Sequence, residues 1–227
     1  MNKQNRFLPT TKDEMKQRGW DELDVVLITG DAYIDSPFMG IAVVGRILED
    51  IGLRVGIIGQ PDINSDVDIK RLGEPKLFWG VSGGSIDSMV SNYTATKKFR
   101  NDDDYTPGGK NNKRPDRATL VYTNLIRRYF KNTAPIVLGG IEASLRRLTH
   151  YDYWSNTLRK PILFDSKADY MIYGMGEQAI IDLGLYLKEG KDVRTIAGLC
   201  YISKEPVKEY VQIPSHKECL ENKEKYI

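Results

Sequence analysis

Cysteine is almost missing from this sequence: Cys200 and Cys219 are the two in 227 residues. Two thiols exclude a disulfide framework, and they cannot by themselves ligate a four-cysteine metal or iron–sulfur site. Histidine is as scarce, at His150 and His216. No apolar run reaches the roughly 18 residues of a membrane span. The opening Met1-Asn-Lys-Gln-Asn-Arg-Phe lacks the apolar centre of a secretory signal, so no membrane partner and a cytoplasmic setting are expected. Neither sign of charge dominates, with 33 basic against 31 acidic residues and a formal net charge of +2. That balance gives no strong signal for nucleic acid or an anionic surface. Three common motifs are also missing. Gly30, Gly40 and Gly45 are spaced too widely for the three-glycine dinucleotide fingerprint, no glycine precedes Lys-Ser or Lys-Thr at phosphate-loop spacing, and no serine sits in a Gly-x-Ser-x-Gly elbow.

What is present begins with residues 24–58, which read as strand, loop, helix and strand. Val25-Val26-Leu27-Ile28 is apolar on both faces, as suits a strand covered on both sides. Ser36 and Pro37 form a cap and first-turn signature. Ile41, Val44, Leu48 and Ile51 then make one helical stripe that Gly52 ends. A right-handed crossover places 54–58 as a parallel neighbour of the first strand. Further strands are expected over 76–82, 134–140 and 169–176, with a possible edge strand over 195–203. Helices are expected over 67–72, 118–130, 141–148 and 177–188. Strands alternating with helices predict an α/β fold, doubly wound around a mostly parallel five-stranded sheet.

The chain divides into an N-terminal extension over 1–20 packed on the domain, a domain over 21–203 carrying an inserted loop over 92–117, and a charged connector over 204–227. The inserted loop mixes Lys97, Lys98 and Arg100 with Asp102 to Asp104, which reads as a solvated loop. In doubly wound sheets ligands sit beyond the carboxyl ends of the strands. That rule puts four loops on one rim, at 30–37, 83–88, 139–143 and 174–177. The candidate cofactor-binding residues there are Asp31, Tyr33, Ser82, Gly83, Gly84, Ser85, Gly139, Gly140, Glu142, Gly174, Gly176 and Glu177. Each has a plainer reading. Asp31 and Asp35 either meet a ligand or cap the next helix, the paired glycines either admit a ligand or make tight turns, and Glu142 and Glu177 suit a helix N-terminus. His150, among Tyr151, Tyr153 and Trp154, is either an acid, base or ligand or a packed ring. His216 and Cys219 make a thin metal case.

Several strings are long and unusual: Ser91-Asn-Tyr-Thr-Ala-Thr-Lys-Lys, Asp104-Tyr-Thr-Pro-Gly-Gly-Lys, Arg114-Pro-Asp-Arg-Ala-Thr, Val137-Leu-Gly-Gly-Ile-Glu-Ala-Ser-Leu-Arg-Arg, His150-Tyr-Asp-Tyr-Trp-Ser and Ile172-Tyr-Gly-Met-Gly-Glu. Through them the chain closely resembles the YgiQ family of radical S-adenosylmethionine proteins, from Phe7 to about Ile213. The resemblance implies a flavodoxin-like, cobalamin-binding-like Rossmann domain that precedes a barrel holding a 4Fe-4S cluster and S-adenosylmethionine. The Cys-x3-Cys-x2-Cys run that such a cluster needs is not in this sequence, so the chain is expected to lack catalysis and to have its own barrel as partner. Cobalamin modules that ligate cobalt through histidine use an Asp-x-His-x-x-Gly loop, and here Tyr33 stands at the histidine position. Cobalamin held without a protein nitrogen ligand, and no cobalamin at all, both stay open. The leading expectation is an accessory domain of a radical enzyme acting on an unknown small-molecule substrate. The rival is a stand-alone small-ligand or regulatory module with a degenerate form of the same fold.

Overall fold

The computed structural model describes residues 7–206 and 210–226. Five parallel strands form the main sheet: β1 (Val25–Thr29), β2 (Val55–Gly59), β3 (Phe78–Ser82), β4 (Ile136–Gly139) and, after the ribbon strands β5 (His150–Asp152) and β6 (Thr157–Arg159), β7 (Tyr170–Ile172). A sixth strand, β8 (Leu199–Tyr201), pairs antiparallel with β7 at the edge, where the sequence left an edge strand open. The order is β2-β1-β3-β4-β7-β8. The chain thus steps outward from β1 to β2 and then back past β1 to β3. This reversal lies between β1 and β3, which opens a crevice at their carboxyl ends.

Both faces are covered, and the all-apolar reading of β1 follows from that, since all five of its residues are buried. On one face α2 (Gly40–Asp50) and α8 (Glu177–Glu189) pack over Val25, Leu27, Ile57 and Ile172. The other face holds Val26, Ile28, Trp79 and Val81 against α5 (Ala118–Tyr129) and α7 (Ile162–Ser166). Short helices α3 (Val67–Lys70), α4 (Ser88–Asn92) and α6 (Gly140–Leu145) follow β2, β3 and β4. Residues 8–17 lie against the domain. Leu8 is fully buried, Pro9 O accepts from Ile57 N at 2.9 Å, and α1 (Lys12–Gln17) carries a capping box from Thr11 and Glu14. The last helix, α9 (His216–Glu221), is capped the same way by Ser215 and Glu218.

Three expectations need correction. The helix after β1 starts at Gly40, because the Ser36 hydroxyl accepts from Phe38 N at 3.3 Å and closes a turn before the helix begins. The stretch from His150, outside every strand expected from the sequence, makes the two-stranded ribbon β5–β6. The inserted loop over 92–117 is solvated at Lys97, Lys98, Arg100, Asp102 and Asp104, as expected, but it is anchored by buried Asp103, Thr106, Asn111 and Arg114. Among the described residues no helix is long and apolar enough to cross a membrane.

Candidate functional site

A cleft of about 410 Å³ lies where β1, β3, β4 and β7 end, under the first turns of α2 and α8. Nine of the twelve sequence-predicted residues line it: Asp31, Ser82, Gly84, Ser85, Gly139, Gly140, Gly174, Gly176 and Glu177. Its glycines divide into two kinds. Gly84 is demanded by the protein itself, since at φ +118° a Cβ there would lie 2.3 Å from Asp31 Oδ1. Gly140, at φ +80°, would set a Cβ 2.6 Å from Ser82 Oγ. Gly139 and Gly40 are different: a Cβ at either finds nothing within 4 Å, and neither backbone is left-handed. Nothing in the fold asks for glycine there, and both face the cleft, so what their bareness preserves is open space. The helices α2 and α8 both begin at the cleft without a side-chain cap, so their first N–H groups have no side-chain acceptor.

Three sequence candidates are not brought to the cleft. Tyr33 turns toward the N-terminal extension, where its hydroxyl accepts from Leu8 N at 3.2 Å. Burial, helped by the nearby Asp35 charge, pushes that phenol up to about 12. Gly83 faces away from the cleft, against Glu142, where a Cβ would stand 2.4 Å from Oε2. Glu142 is 2% exposed, and its two oxygens accept from Ser88 N and Thr119 N at 3.0 Å each. Its carboxylate therefore clamps α4 and α5 to α6, a role that needs no ligand.

Asp31 keeps its place at the cleft wall, yet its carboxylate is spent internally. Oδ1 accepts from Arg114 Nη2 and Oδ2 from Ser85 N, both at 2.6 Å. Arg114 also donates to Gly30 O at 3.0 Å and to the Ser91 hydroxyl, and it stands 3.4 Å from Asp103. The three side chains of this cluster are at most 1% exposed. Tyr105 O accepts from Ala32 N, and Gln60 bridges Gly30 O and Thr106 Oγ1. Together these bonds fasten the inserted loop to the first rim loop. Asp35 neither caps a helix nor faces the cleft, because it pairs with Arg46 through two hydrogen bonds.

Sequence reasoning missed Arg114. Its signal, one arginine among loop aspartates, looks the same as a solvated charge until the fold brings Asp31 to it from 83 residues away.

Among the described residues no group of three or more His, Cys, Asp or Glu could hold an ion. His216 meets Thr149 Oγ1 at 3.4 Å, and Cys219 lies buried against the Pro214 and Lys225 carbonyls. Cys200 sits half-buried on β8, apart from Cys219.

Comparison with known proteins agrees with the fold. The family model described as radical SAM N-terminal matches residues 7–227. The UPF0313 protein of Fusobacterium nucleatum is 60% identical over 223 residues, covering 98% of this chain and 39% of that protein. The UPF0313 protein of Thermotoga maritima is 53% identical, with 97% and 39% covered. The chain thus spans about two-fifths of the length of these curated relatives. Among solved structures, the radical S-adenosylmethionine methyltransferase TsrM from Kitasatospora setae, with tryptophan and a cosubstrate analogue bound, aligns at TM-score 0.53 and 19% identity, over 80% of this chain and 29% of that one. The same enzyme with cobalamin and a [4Fe-4S] cluster bound aligns at 0.52 and 20%, with the same coverage. At these identities the likeness is one of fold. With its model matched along nearly the whole sequence, the chain belongs to the radical SAM N-terminal family.

Proposed function

We propose that this chain is the accessory domain of a radical S-adenosylmethionine iron–sulfur protein, that its cleft takes part of a small ligand, and that a second domain carrying the cluster covers the rim. The observation that carries the proposal is the cleft itself. It sits at the reversal of strand order, its Gly139 and Gly40 positions are bare without structural need, and its mouth is flanked by Phe38 and Met175, which are 91% and 90% exposed. Two large apolar side chains held in water beside a ligand cleft suit a surface that another domain covers. The relatives leave room for one, since this chain accounts for only 39% of their length. The cluster and S-adenosylmethionine belong to that other part, because two cysteines cannot supply three thiolates.

Cobalamin is the cofactor that the fold family brings to mind, and the residues present fit it in one manner only. No histidine lines the cleft, and Tyr33 spends its hydroxyl on Leu8 and points elsewhere. Cobalt would have no side-chain nitrogen from these residues. The open floor at Gly139, the apolar walls Ile41 and Ile180, and the uncapped first turns of α2 and α8 would hold the cofactor. Bound cobalamin would supply a metal centre for radical or group-transfer chemistry, while this chain's part is to position it and keep water out.

The test is retention of colour. The purified chain is incubated with hydroxocobalamin, passed through a desalting column and read in the visible range. Retained corrin is expected, unchanged by Tyr33→Phe and abolished by Gly139→Leu, which fills the floor. A colourless protein defeats the cobalamin reading, and a spectrum that Tyr33→Phe alters defeats the assignment of Tyr33 away from the metal.

A further inference from the structure

A second cavity, of about 340 Å³, opens on the other side of α6, between α4 and the ribbon β5–β6. Gly140 and Ile141 line the first cleft, whereas Glu142 and Leu145 line this one. Two of its wall residues hold donors without acceptors. Arg146, 7% exposed, gives its Nε to His150 Nε2 at 3.0 Å. That bond makes Nε2 the acceptor and leaves the ring proton on Nδ1. Burial, and then the Arg146 charge, pull the imidazole down to about 4, so the ring is neutral near pH 7. His150 Nδ1 and Arg146 Nη2 are both buried and neither has a hydrogen-bond partner. Asp165 Oδ2 stands 3.7 Å from Nη2, an ion pair without a hydrogen bond.

The acids at this cavity are already engaged. Asp152 accepts from Arg117 and Arg159 at 2.7 Å each, Glu142 from Ser88 and Thr119, and Asp87 from the Met89 and Val90 N–H groups. The wall therefore offers no hydrogen-bond acceptor to Arg146 Nη2 or to His150 Nδ1, which sit side by side, and Asp165, outside the wall, meets Arg146 only as an ion pair. Each orphaned buried donor costs about 1–3 kcal/mol, and more when charged, so two in one cavity mark where a ligand's oxygens would be most favourable. Tyr151, Tyr153 and Trp154 add flat apolar surface, the first two about half exposed.

We propose that this second cavity binds a small oxyanion, a carboxylate or phosphate attached to an aromatic or other flat apolar body, with Arg146 as its charged anchor and His150 Nδ1–H as a second donor. The ligand's body would lie along the Tyr151 and Trp154 rings. The proposal is independent of cobalamin and of any second domain.

Benzoate, phenyl phosphate and neutral benzamide are titrated into the purified chain, read by calorimetry and by Trp154 emission. The Trp154→Phe variant assigns the optical signal, because Trp20 and Trp79 also emit. At least one anion is expected to bind saturably with a Kd on the order of 1 mM or tighter, and benzamide about tenfold or more weaker. Arg146→Met should weaken the anion about tenfold or more. If that variant fails to fold, Leu145→Trp serves: Leu145 is 59% exposed at the cavity, and a larger ring there is expected to narrow it while both donor side chains are retained. Preference for benzoate identifies a carboxylate site and preference for phenyl phosphate a phosphate site, and either supports the proposal. Benzamide binding as well as the anions, anion binding that survives Leu145→Trp, or no saturable binding overturns it.

Discussion

Single residues decide most of what is unusual in this domain. Arg114 is a charge with no exposed side-chain surface, stabilised because two carboxylates and two further acceptors surround it. Arg114→Met is expected to cost about 3–5 kcal/mol in urea unfolding, because it strands Asp31 and Asp103 without a counter-charge. The glycines give a paired test. Gly84→Ala meets both a left-handed backbone and Asp31 Oδ1, and should lose roughly 2–4 kcal/mol. Gly139→Ala meets nothing and should stay within about 0.5 kcal/mol of the parent. His150 adds a pH dependence. Free histidine takes its proton near 6.5 while the folded ring resists until about 4, so the unfolded chain binds the extra proton and native stability falls as the pH drops through that window. After allowance for the ring's partial exposure, about 1–2 kcal/mol of that fall should disappear in His150→Gln, measured by denaturant midpoints at pH 7 and pH 4.5.

At the scale of elements, close approach is what small residues provide. A Cβ on Gly45 of α2 would lie 2.4 Å from Leu8, and one on Gly184 of α8 would lie 2.9 Å from Leu53. The extension and α8 therefore both depend on glycine to seat their neighbours. Leu8→Ala should cost about 2–5 kcal/mol by thermal or urea unfolding, even though it lies outside the sheet. Elements with strong periodicity were legible in the sequence: β1 from its two-faced apolar run, α2 from its stripe, α5 and α8 from their spacing. Their starts were less so. Ser36-Pro37 carries the chemistry of a helix cap, and the hydroxyl used it on a turn one step earlier. The ribbon β5–β6 was illegible because its support comes from Asp152, tied to Arg117 and Arg159, and from the Tyr226 hydroxyl that receives Tyr151 N. Those partners are distant or follow no period.

Across the whole molecule, the sheet order made the cleft legible where residue chemistry did not. Placing four loops on one rim needed only the alternation of strands and helices, and nine of the twelve named residues do line the cleft. Tyr33, Gly83 and Glu142 lie in the rim loops but face away from the cleft, since side-chain direction within a loop is set by tertiary partners: Leu8 for Tyr33, Ser88 and Thr119 for Glu142. The central claim concerns what lies over that rim. Hydrogen–deuterium exchange, compared between this chain alone and the matching segment inside a full-length UPF0313 relative, tests it most directly. The account expects added protection at the loops over 34–40 and 173–176, around Phe38 and Met175, with the opposite edge of the sheet unchanged. Equal exchange at those loops in both proteins, or protection confined to the amino-terminal ends of the strands, would contradict it.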